Sequence, residues 1–264
     1  MNRIFSLLAL IALLQLAPSC TEQTSNGSPD NSLLVATLYH QHSAERDALC
    51  YQAYNIAHDR LDEILEKNAG DTALAIVLDL DETVLDNSPY EAQTIKGNYT
   101  YPTGWDEWMH AAAATAIPGA VEFLQYAAEQ GIEIFYITNR KEKYRQATLE
   151  NLQKLGIAPA TGNHLLLRTD VSTKEPRRQE VLKNHRIIML FGDNLADFSS
   201  VFDGEKSTAQ RAALVDSLQQ AFGKRYIVFP NAMYGDWLNA AIDFRYELSQ
   251  QEKIELQKNR LEGF

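Results

Sequence analysis

The sequence predicts an α/β fold with a doubly wound parallel sheet. Short apolar runs alternate with longer stretches of helical periodicity over most of the 264 residues, which is the pattern of βαβ units. The first of these runs, residues 74–79, is apolar at every position before its last residue, as expected for a parallel strand buried on both faces. Polar residues follow the ends of the apolar runs, which is where open α/β sheets bind their ligands. The fold class therefore also predicts where a site should lie.

The first strand ends in two aspartates, and this pair is the strongest functional signal in the chain. Asp79 and Asp81 are separated by one leucine and followed by Thr83. Burying two carboxylates side by side is costly unless a cation or a shared proton offsets their charge. An Asx turn after the strand would explain one aspartate, but not two on the same side. The pair therefore predicts a divalent metal, a catalytic task, or both.

The first twenty residues are predicted to be an export signal and not part of the folded domain. Arg3 gives a basic start, and residues 4–16 are mainly apolar but too short for a comfortable membrane span. A small residue stands directly before Cys20, as in bacterial lipoprotein processing sites, so we expect cleavage before Cys20 and its lipidation. Ordinary cleavage and release is the alternative. These features predict a protein held in the bacterial cell envelope by a lipid anchor, at the outer membrane, facing the periplasm or the surface.

Composition and charge limit what the rest of the chain can do. Residues 21–32 are a polar tether, and residues 33–264 are expected to form the folded domain. The formal net charge is −11 and no Lys/Arg-rich run occurs, which argues against binding a nucleic-acid polymer. Only Cys20 and Cys50 are present, so no disulfide framework is expected. Cys50 lies in a helical pattern and is interpreted as a small buried hydrophobe.

The elements follow in order from their periodicity and their end signals. Helical spacing over residues 33–67 ends at Asn68 and Gly70, and predicts one long or two consecutive helices. Residues 87–104 are rich in Pro, Gly, Asn and Tyr, and are interpreted as a loop. The other predicted helices are residues 105–115, 120–130, 141–155, 175–183, 209–222 and a long charged helix from Asp236 onward; the predicted strands are residues 74–79, 132–138, 164–167, 186–191 and 226–229.

Chemically useful side chains follow four of these strands, whose carboxyl ends converge on one edge of a doubly wound sheet. Phosphoryl transfer needs a nucleophile, a proton donor, a cation and donors to the phosphoryl oxygens. Carboxylates and a backbone carbonyl supply the oxygen ligands that Mg²⁺ prefers. We therefore predict a phosphoryl-transfer site at this edge. Its members, in strand order, are Asp79 with Asp81, Thr138 with Asn139 and Arg140, Lys174, and Asp193 with Asp197.

Four segments also carry a family resemblance: residues 79–88 (DLDETVLDNS), residues 136–140 (YITNR), Lys174, and residues 192–198 (GDNLADF). In order and spacing they resemble the four motifs of the haloacid dehalogenase (HAD) superfamily. More narrowly, they resemble the class C acid phosphatases of the bacterial lipoprotein e(P4) type, a 5′-nucleotidase family whose signature is four aspartates in two pairs. The resemblance implies a HAD-like core from about residue 72, with a mostly helical cap from residues 33–70 and 87–116.

The resemblance implies a role for each of the four aspartates. Asp79 would be the nucleophile that forms an aspartyl-phosphate. Asp81 would protonate the leaving oxygen and then activate the hydrolytic water, which fits activity at acidic pH. Mg²⁺ would be held by Asp79, by the backbone carbonyl of Asp81 and by Asp193, with Asp197 supporting it. For Asp197, a helix N-terminal charge is the plainer alternative.

The resemblance likewise implies that Thr138 and Asn139 donate to the phosphoryl oxygens and that Lys174 neutralises charge on the phosphate and the nucleophile. A carboxylate that attacks a phosphate ester faces like-charge repulsion, which a metal and an ammonium group relieve. Thr138 could instead be only a strand-ending hydroxyl, and Lys174 a solvated turn lysine close to Arg168. Arg140 is interpreted as part of a structural ion pair.

Substrate specificity is expected to come from outside the sheet core, where aromatic residues are concentrated. Trp105 and Tyr234 are predicted to stack on the base of a nucleoside monophosphate, because stacking tolerates different bases; core packing is the alternative. The predicted function is a Mg²⁺-dependent acid phosphatase acting on phosphomonoesters, chiefly 5′-nucleotides. The alternatives are a generic phosphomonoesterase or phosphotransferase and a non-catalytic protein that binds phosphate ligands, which the presence of Asp79 disfavours. The sequence does not decide the oligomeric state, for which a homodimer is one option.

Overall fold

The structure is a computed structural model that describes residues 31–68, 70, 73–157 and 161–264. The predicted export signal, the lipidation site at Cys20 and most of the predicted tether lie outside the described residues. Within the described ranges, no helix combines the length and the apolar character needed to cross a membrane.

Five parallel strands form the central sheet, in agreement with the predicted α/β fold. The chain builds one half of the sheet on one side of its first strand and then crosses over to build the other half. The sheet order is β5-β4-β1-β6-β7, so β1 lies at the point where the winding reverses, the usual ligand position in such sheets. The five strands are β1 (Leu74–Leu78), β4 (Glu133–Lys141), β5 (Leu165–Arg168), β6 (Arg186–Gly192) and β7 (Tyr226–Val228).

Helices cover both faces of this sheet. The predicted helical region 33–67 is two consecutive helices, because Ser43 accepts a hydrogen bond from the backbone N–H of Arg46 and starts a new helix there. The ten helices of the described ranges are α1 (Asn31–His42), α2 (Ala44–Lys67), α3 (Ser88–Gly97), α4 (Trp105–Ala111), α5 (Ala120–Glu129), α6 (Arg145–Lys154), α7 (Glu175–Leu182), α8 (Thr208–Ser217), α9 (Asp236–Ala241) and α10 (Gln250–Lys258).

Alternate residues of β1 belong to two different hydrophobic clusters. Leu74, Ile76 and Leu78 pack on the side of α2 and α5, whereas Ala75 and Val77 pack on the side of α7. Successive side chains of a strand point to opposite faces of the sheet. Burial of β1 on both faces, which its apolar run predicts, is therefore confirmed.

The interpretation of residues 87–104 as a loop is wrong, because α3 occupies most of that segment. Pro89 lies in the first turn of α3, where its missing N–H costs nothing, and Asn98 ends the helix in the left-handed conformation. The helix predicted over residues 105–115 ends earlier, at Ala111. A pair of two-residue antiparallel strands, β2 (Leu85–Asp86) and β3 (Thr115–Ala116), was not predicted, since two residues show no periodicity.

The long helix predicted from Asp236 onward is also interrupted. Helix α9 ends at Ala241, and Asp243 and Phe244 both adopt positive φ, which no continuous α-helix allows. Helix α10 then starts afresh at a capping box made by Ser249 and Glu252. The helix predicted over residues 209–222 likewise ends at Ser217 and is followed by a short 3-10 turn.

Candidate active site

Asp79 and Asp81 follow β1 directly, at the carboxyl edge of the sheet. The backbone N–H of Asp79 donates to the carbonyl of Phe191 on β6 (2.9 Å), which continues the sheet pairing by one residue. The carbonyl of Leu80 then accepts from the N–H of Leu85 (2.8 Å), so the chain folds back at once. This tight turn keeps both aspartates at the point where the winding of the sheet reverses.

Three carboxylates meet beside this turn. Asp79, Asp193 and Asp197 each offer one oxygen, and these oxygens all lie within 4.8 Å of one another. Gly192 permits the approach, since a Cβ atom there would overlap the carboxyl group of Asp197. An all-oxygen set suits a hard divalent cation such as Mg²⁺. The carboxylate of Asp81 lies outside this group, which leaves its backbone carbonyl for the role that the resemblance implies.

Lys174 is buried against the same carboxylates. Its Nζ lies 2.5 Å from Oδ1 of Asp79 and 2.6 Å from Oδ1 of Asp197. The residue is only 5% exposed, so the alternative of a solvated turn lysine is wrong. Burial lowers the pKa of Lys174, but the neighbouring carboxylates of Asp197 and Asp79 outweigh it and the net shift is upward. The ammonium group therefore stays charged across the physiological range.

Asp197 has two tasks in the structure. Its Oδ2 accepts from the backbone N–H of Asn194 (2.9 Å) and so caps a short 3-10 turn, as the plainer alternative proposed. Its Oδ1 meanwhile contacts Lys174 and takes part in the carboxylate group. The capping bond therefore orients the carboxylate that pairs with the lysine.

One ammonium group does not neutralise three carboxylates. Burial raises the pKa of Asp79 to about 7; Lys174 opposes this shift, while the charges of Asp197 and Asp81 add to it. Burial and the charges of Asp197 and Asp79 raise the pKa of Asp193 well above its usual range, against a hydrogen bond from Asn231 (2.8 Å). Like charges this close favour either protonation or a further cation. The residues present thus fit a divalent metal.

Asp81 has different neighbours from Asp79. Its Oδ1 accepts from Nε of Arg140 (2.9 Å), pairs with Nη2 of Arg140 (2.8 Å) and accepts from Nδ2 of Asn87 (2.8 Å). Among the described residues, its Oδ2 accepts a hydrogen bond only from the hydroxyl group of Thr138, at 3.4 Å. Arg140 therefore makes the ion pair that the sequence suggested, and its partner is the candidate acid itself. Because the shorter contacts all involve Oδ1, Oδ2 is the oxygen better suited to exchange a proton.

Strand β4 is irregular where the predicted phosphate donors lie. Its register with β5 shifts between Ile137 and Lys141, and bulges of this kind re-aim side chains next to active sites. Thr138 is completely buried, while Asn139 is exposed and accepts from Arg177 through its Oδ1 (2.8 Å). Both side chains stand near the carboxylates, but their contact with a phosphoryl group stays a prediction.

A cleft of about 520 Å³ opens over the carboxylates. Trp105 and Tyr234 both line it together with Asp79, and their stacking on a base stays a prediction. Within the described ranges, the Trp105 ring makes edge contacts with Tyr90 (4.8 Å between centroids) and Tyr101 (5.7 Å), and none with Tyr234. Trp105 is thus partly a packing residue, and its remaining surface faces the cleft.

The N-terminal helices support the acid through a chain of buried contacts. His40 and Arg46 lie 3.5 and 3.7 Å from the carboxylate of Asp86, which precedes Asn87. Asn87 donates to Asp81 and accepts from Nε1 of Trp108 (2.8 Å). Nothing in the local sequence pattern shows that α1 and α2 pack on the turn that carries Asp86 and Asn87.

Glu91 is a cleft residue that the sequence did not single out. It lines the cleft from α3, and among the described residues its carboxyl group has no hydrogen-bond or ion-pair partner. Burial raises the pKa of Glu91 to about 7. A partly buried acid without a partner does not stabilise the fold. Such an arrangement is typical of residues that contact a ligand.

The pKa of Glu91 predicts a pH dependence of stability. Between about pH 4.5 and 7 the carboxyl group of Glu91 is deprotonated in the unfolded chain but still protonated in the folded chain. The contribution of Glu91 to the free energy of unfolding therefore falls as pH rises. We expect Glu91→Gln to gain stability relative to the parent over this range, by up to about 3 kcal/mol. Urea unfolding at pH 4.5 and pH 8 measures the difference. Glu129→Gln, on the exposed end of α5, is the control; an equal gain there would contradict the assignment.

The geometry is that of a carboxylate-based phosphoryl-transfer site at the winding reversal of a parallel sheet. The family model for the HAD superfamily, subfamily IIIB (acid phosphatase), matches residues 19–237. The chain therefore belongs to this family of acid phosphatases. The predicted family and enzyme class are confirmed.

Solved structures and curated proteins agree with this placement. The class C acid phosphatase of Bacillus anthracis superposes with a TM-score of 0.84 and 42% identity, over 88% of this chain and 97% of that one. Its structure with bound tungstate matches at 43% identity. Vegetative storage protein 2 of Arabidopsis thaliana is 29% identical over 166 residues, and acid phosphatase 1 of Solanum lycopersicum is 28% identical over 130. The matched region spans 60% and 50% of these two proteins, respectively.

Proposed function

We propose that this chain hydrolyses phosphomonoesters in two steps through a phosphorylated Asp79. The observation that carries the proposal is the buried contact of Asp79 with Lys174 beside Asp193 and Asp197. Such a contact holds a carboxylate in one orientation and offsets its charge, both of which a nucleophile toward a phosphate dianion needs. Membership of the acid phosphatase family supports the same enzyme class, a phosphomonoester hydrolase.

In the first step, Asp79 attacks phosphorus, the P–O bond to the leaving group breaks, and Asp81 gives its proton to the leaving oxygen. In the second step, Asp81 takes a proton from water, the water oxygen attacks phosphorus, and the carboxylate of Asp79 leaves. The Oδ2 atom of Asp81, which has only a long hydrogen bond from Thr138 among the described residues, is suited to both transfers. Lys174 offsets negative charge throughout.

We propose Mg²⁺ as the bound metal. Asp79, Asp193, Asp197 and the backbone carbonyl of Asp81 would hold it, since hard oxygen donors match this ion. When bound, it supplies positive charge that stabilises the phosphoryl oxygens in the transition state. Asn231 orients Asp193 through its hydrogen bond, as outer residues of metal sites commonly do.

We further propose that 5′-nucleotides are the preferred substrates. Trp105 and Tyr234 support this, because both aromatic rings line the same cleft as the nucleophile without packing on each other. Aromatic side chains that line a cleft suit stacking on a flat base. We also propose that Cys20 carries a lipid anchor that holds the enzyme in the bacterial cell envelope.

A phosphate-release panel tests the substrate class. The parent should hydrolyse adenosine 5′-monophosphate with a lower KM than ribose 5-phosphate, which lacks the base. Trp105→Leu and Tyr234→Leu should each raise KM for the nucleotide about 5- to 160-fold, since base stacking contributes about 1–3 kcal/mol, and should change KM for ribose 5-phosphate much less. Tyr51→Leu, an exposed tyrosine of α2, is the control.

Other outcomes of the panel favour the other candidates. Equal KM values with and without the base would favour a generic phosphomonoesterase. A blank panel would favour a binding protein without catalysis, an alternative that the similarity to vegetative storage protein 2 keeps relevant. The presence of Asp79 in contact with Lys174 argues for catalysis.

A further inference from the structure

Two cationic side chains at one end of the cleft have no acidic partner in the part of the chain that the structure describes. Lys141 is the last residue of β4 and Arg168 is the last residue of β5, and both line the cleft that contains Asp79. Within residues 31–68, 73–157 and 161–264, no carboxylate forms an ion pair with either of them. The chain as a whole carries a net charge of −11, so an unpaired cationic end is not a consequence of composition.

The two cations are also direct neighbours across the sheet. Lys141 and Arg168 are Cα partners in the pairing of β4 with β5. Like charges that lie opposite each other on neighbouring strands destabilise a sheet. A local arrangement that opposes folding without an evident compensation points to a functional site.

Arg168 is poorly satisfied as well as unpaired. Its Nε atom is buried, and none of the described residues accepts a hydrogen bond from it. A buried donor without an acceptor is costly, so Arg168 is not retained for the stability of the fold. The nearby Arg177 is also cationic, so it does not offset the charge of the pair. Its own hydrogen bonds go to the neutral oxygens of Thr138, Asn139, Ser172 and Thr173.

The position of this pair relative to the nucleophile indicates what it could bind. Strand β4 neighbours β1 and β5 neighbours β4, so Arg168 lies two strand spacings, roughly 10 Å, from the strand that ends at Asp79. A group bound there would be part of the leaving group and not the phosphate under attack. A guanidinium fork beside an ammonium group matches the oxygens of a phosphate.

We propose that Lys141 and Arg168 form a subsite for a second phosphate group carried by the leaving group of the substrate. This inference rests on the proposed phosphatase activity and extends it, since it selects bisphosphorylated over monophosphorylated esters. The second phosphate accepts hydrogen bonds from the Nη groups of Arg168 and from Nζ of Lys141, and it offsets the charge repulsion between them.

The kinetic test compares α,ω-alkanediol bisphosphates of increasing length with the matching ω-hydroxyalkyl monophosphates, at low ionic strength. In the parent, KM for the best-fitting bisphosphate should be about ten-fold lower than for its monophosphate, after correction for the two equivalent esters. The ratio should fall to about one in the Lys141→Gln/Arg168→Gln double variant. It should be kept in the Lys224→Gln/Arg225→Gln control, whose residues precede β7 at the opposite edge of the sheet.

A binding measurement separates this inference from the activity it rests on. The matching α,ω-alkane bisphosphonate, which cannot be hydrolysed at carbon–phosphorus bonds, should raise the Tm of the parent more than an alkyl monophosphonate does. The extra shift should disappear in the double variant only. Turnover of the monophosphate with no bisphosphate preference in KM or Tm would overturn the subsite. Absence of all turnover with the Tm difference intact would overturn the proposed function and keep the subsite.

Discussion

Asp79→Asn is expected to lower kcat for phosphate release by at least about 10³-fold, because an amide cannot attack phosphorus and no other group replaces a covalent nucleophile. The carboxylates of Asp193 and Asp197 and the ammonium group of Lys174 all remain in place. Removing one of three crowded negative charges should leave the fold at least as stable as before. Phosphate release from an aryl phosphate, together with thermal unfolding, measures both effects.

The control for this substitution is Asp216→Asn, which makes the same chemical change on the exposed surface of α8. It should keep the full kcat and the parental Tm. Full turnover by Asp79→Asn would exclude Asp79 as the nucleophile. A loss of activity with a collapsed Tm would instead assign Asp79 a structural task.

Removal of the metal is expected to have the second large effect. Exhaustive chelation should reduce kcat at least about 100-fold, and added Mg²⁺ should restore it, because Lys174 alone leaves the carboxylate group with excess negative charge. Asp193→Asn should need at least about ten-fold more Mg²⁺ for half-maximal rate. The activity of the parent and the variant is measured over a Mg²⁺ titration.

A measurement without turnover checks the same site. Mg²⁺ should raise the Tm of the parent, since an ion that binds only the folded state stabilises it, and should raise it much less in Asp193→Asn. Asp216→Asn is again the matched control and should respond like the parent. Full activity after chelation, with no Tm response to Mg²⁺, would contradict a metal at Asp79, Asp193 and Asp197.

The sheet and its catalytic edge could be predicted because their signals are local. The apolar run of β1 ends in Asp79, and burial on both faces of β1 follows from that run alone. Strand β6 ends at Gly192, directly before Asp193, so the second acidic pair could be placed at the same edge of the sheet. Parallel topology then brings these strand ends together without further information.

The parts that were missed depend on contacts between distant segments. Helix α3 was interpreted as a loop because its composition resembles one, yet Tyr90 and Thr94 are buried in the fold. The support of Asp81 by Asn87 and Arg140 needs the tertiary arrangement of three separate segments. Packing of this kind overrides local propensity and leaves no periodic trace in the sequence.

The irregular end of β4 shows the same limit at the site itself. The register shift before Lys141 sets which residue lies opposite Arg168, and no sequence pattern encodes that shift. Similarly, Glu91 is one of many acidic residues in the sequence, and only the structure shows that it lines the cleft without a partner. Chemistry-bearing motifs were thus predictable, whereas the residues that shape specificity were not.

The stereochemistry of phosphoryl transfer tests the central claim most directly. A phosphomonoester made chiral at phosphorus with three oxygen isotopes is turned over by the parent in the presence of an acceptor alcohol, and the configuration of the new phosphomonoester is determined. Attack by Asp79 followed by attack of the acceptor inverts phosphorus twice, so the account predicts net retention. Net inversion would show a single direct displacement by the acceptor and would contradict a phosphorylated Asp79.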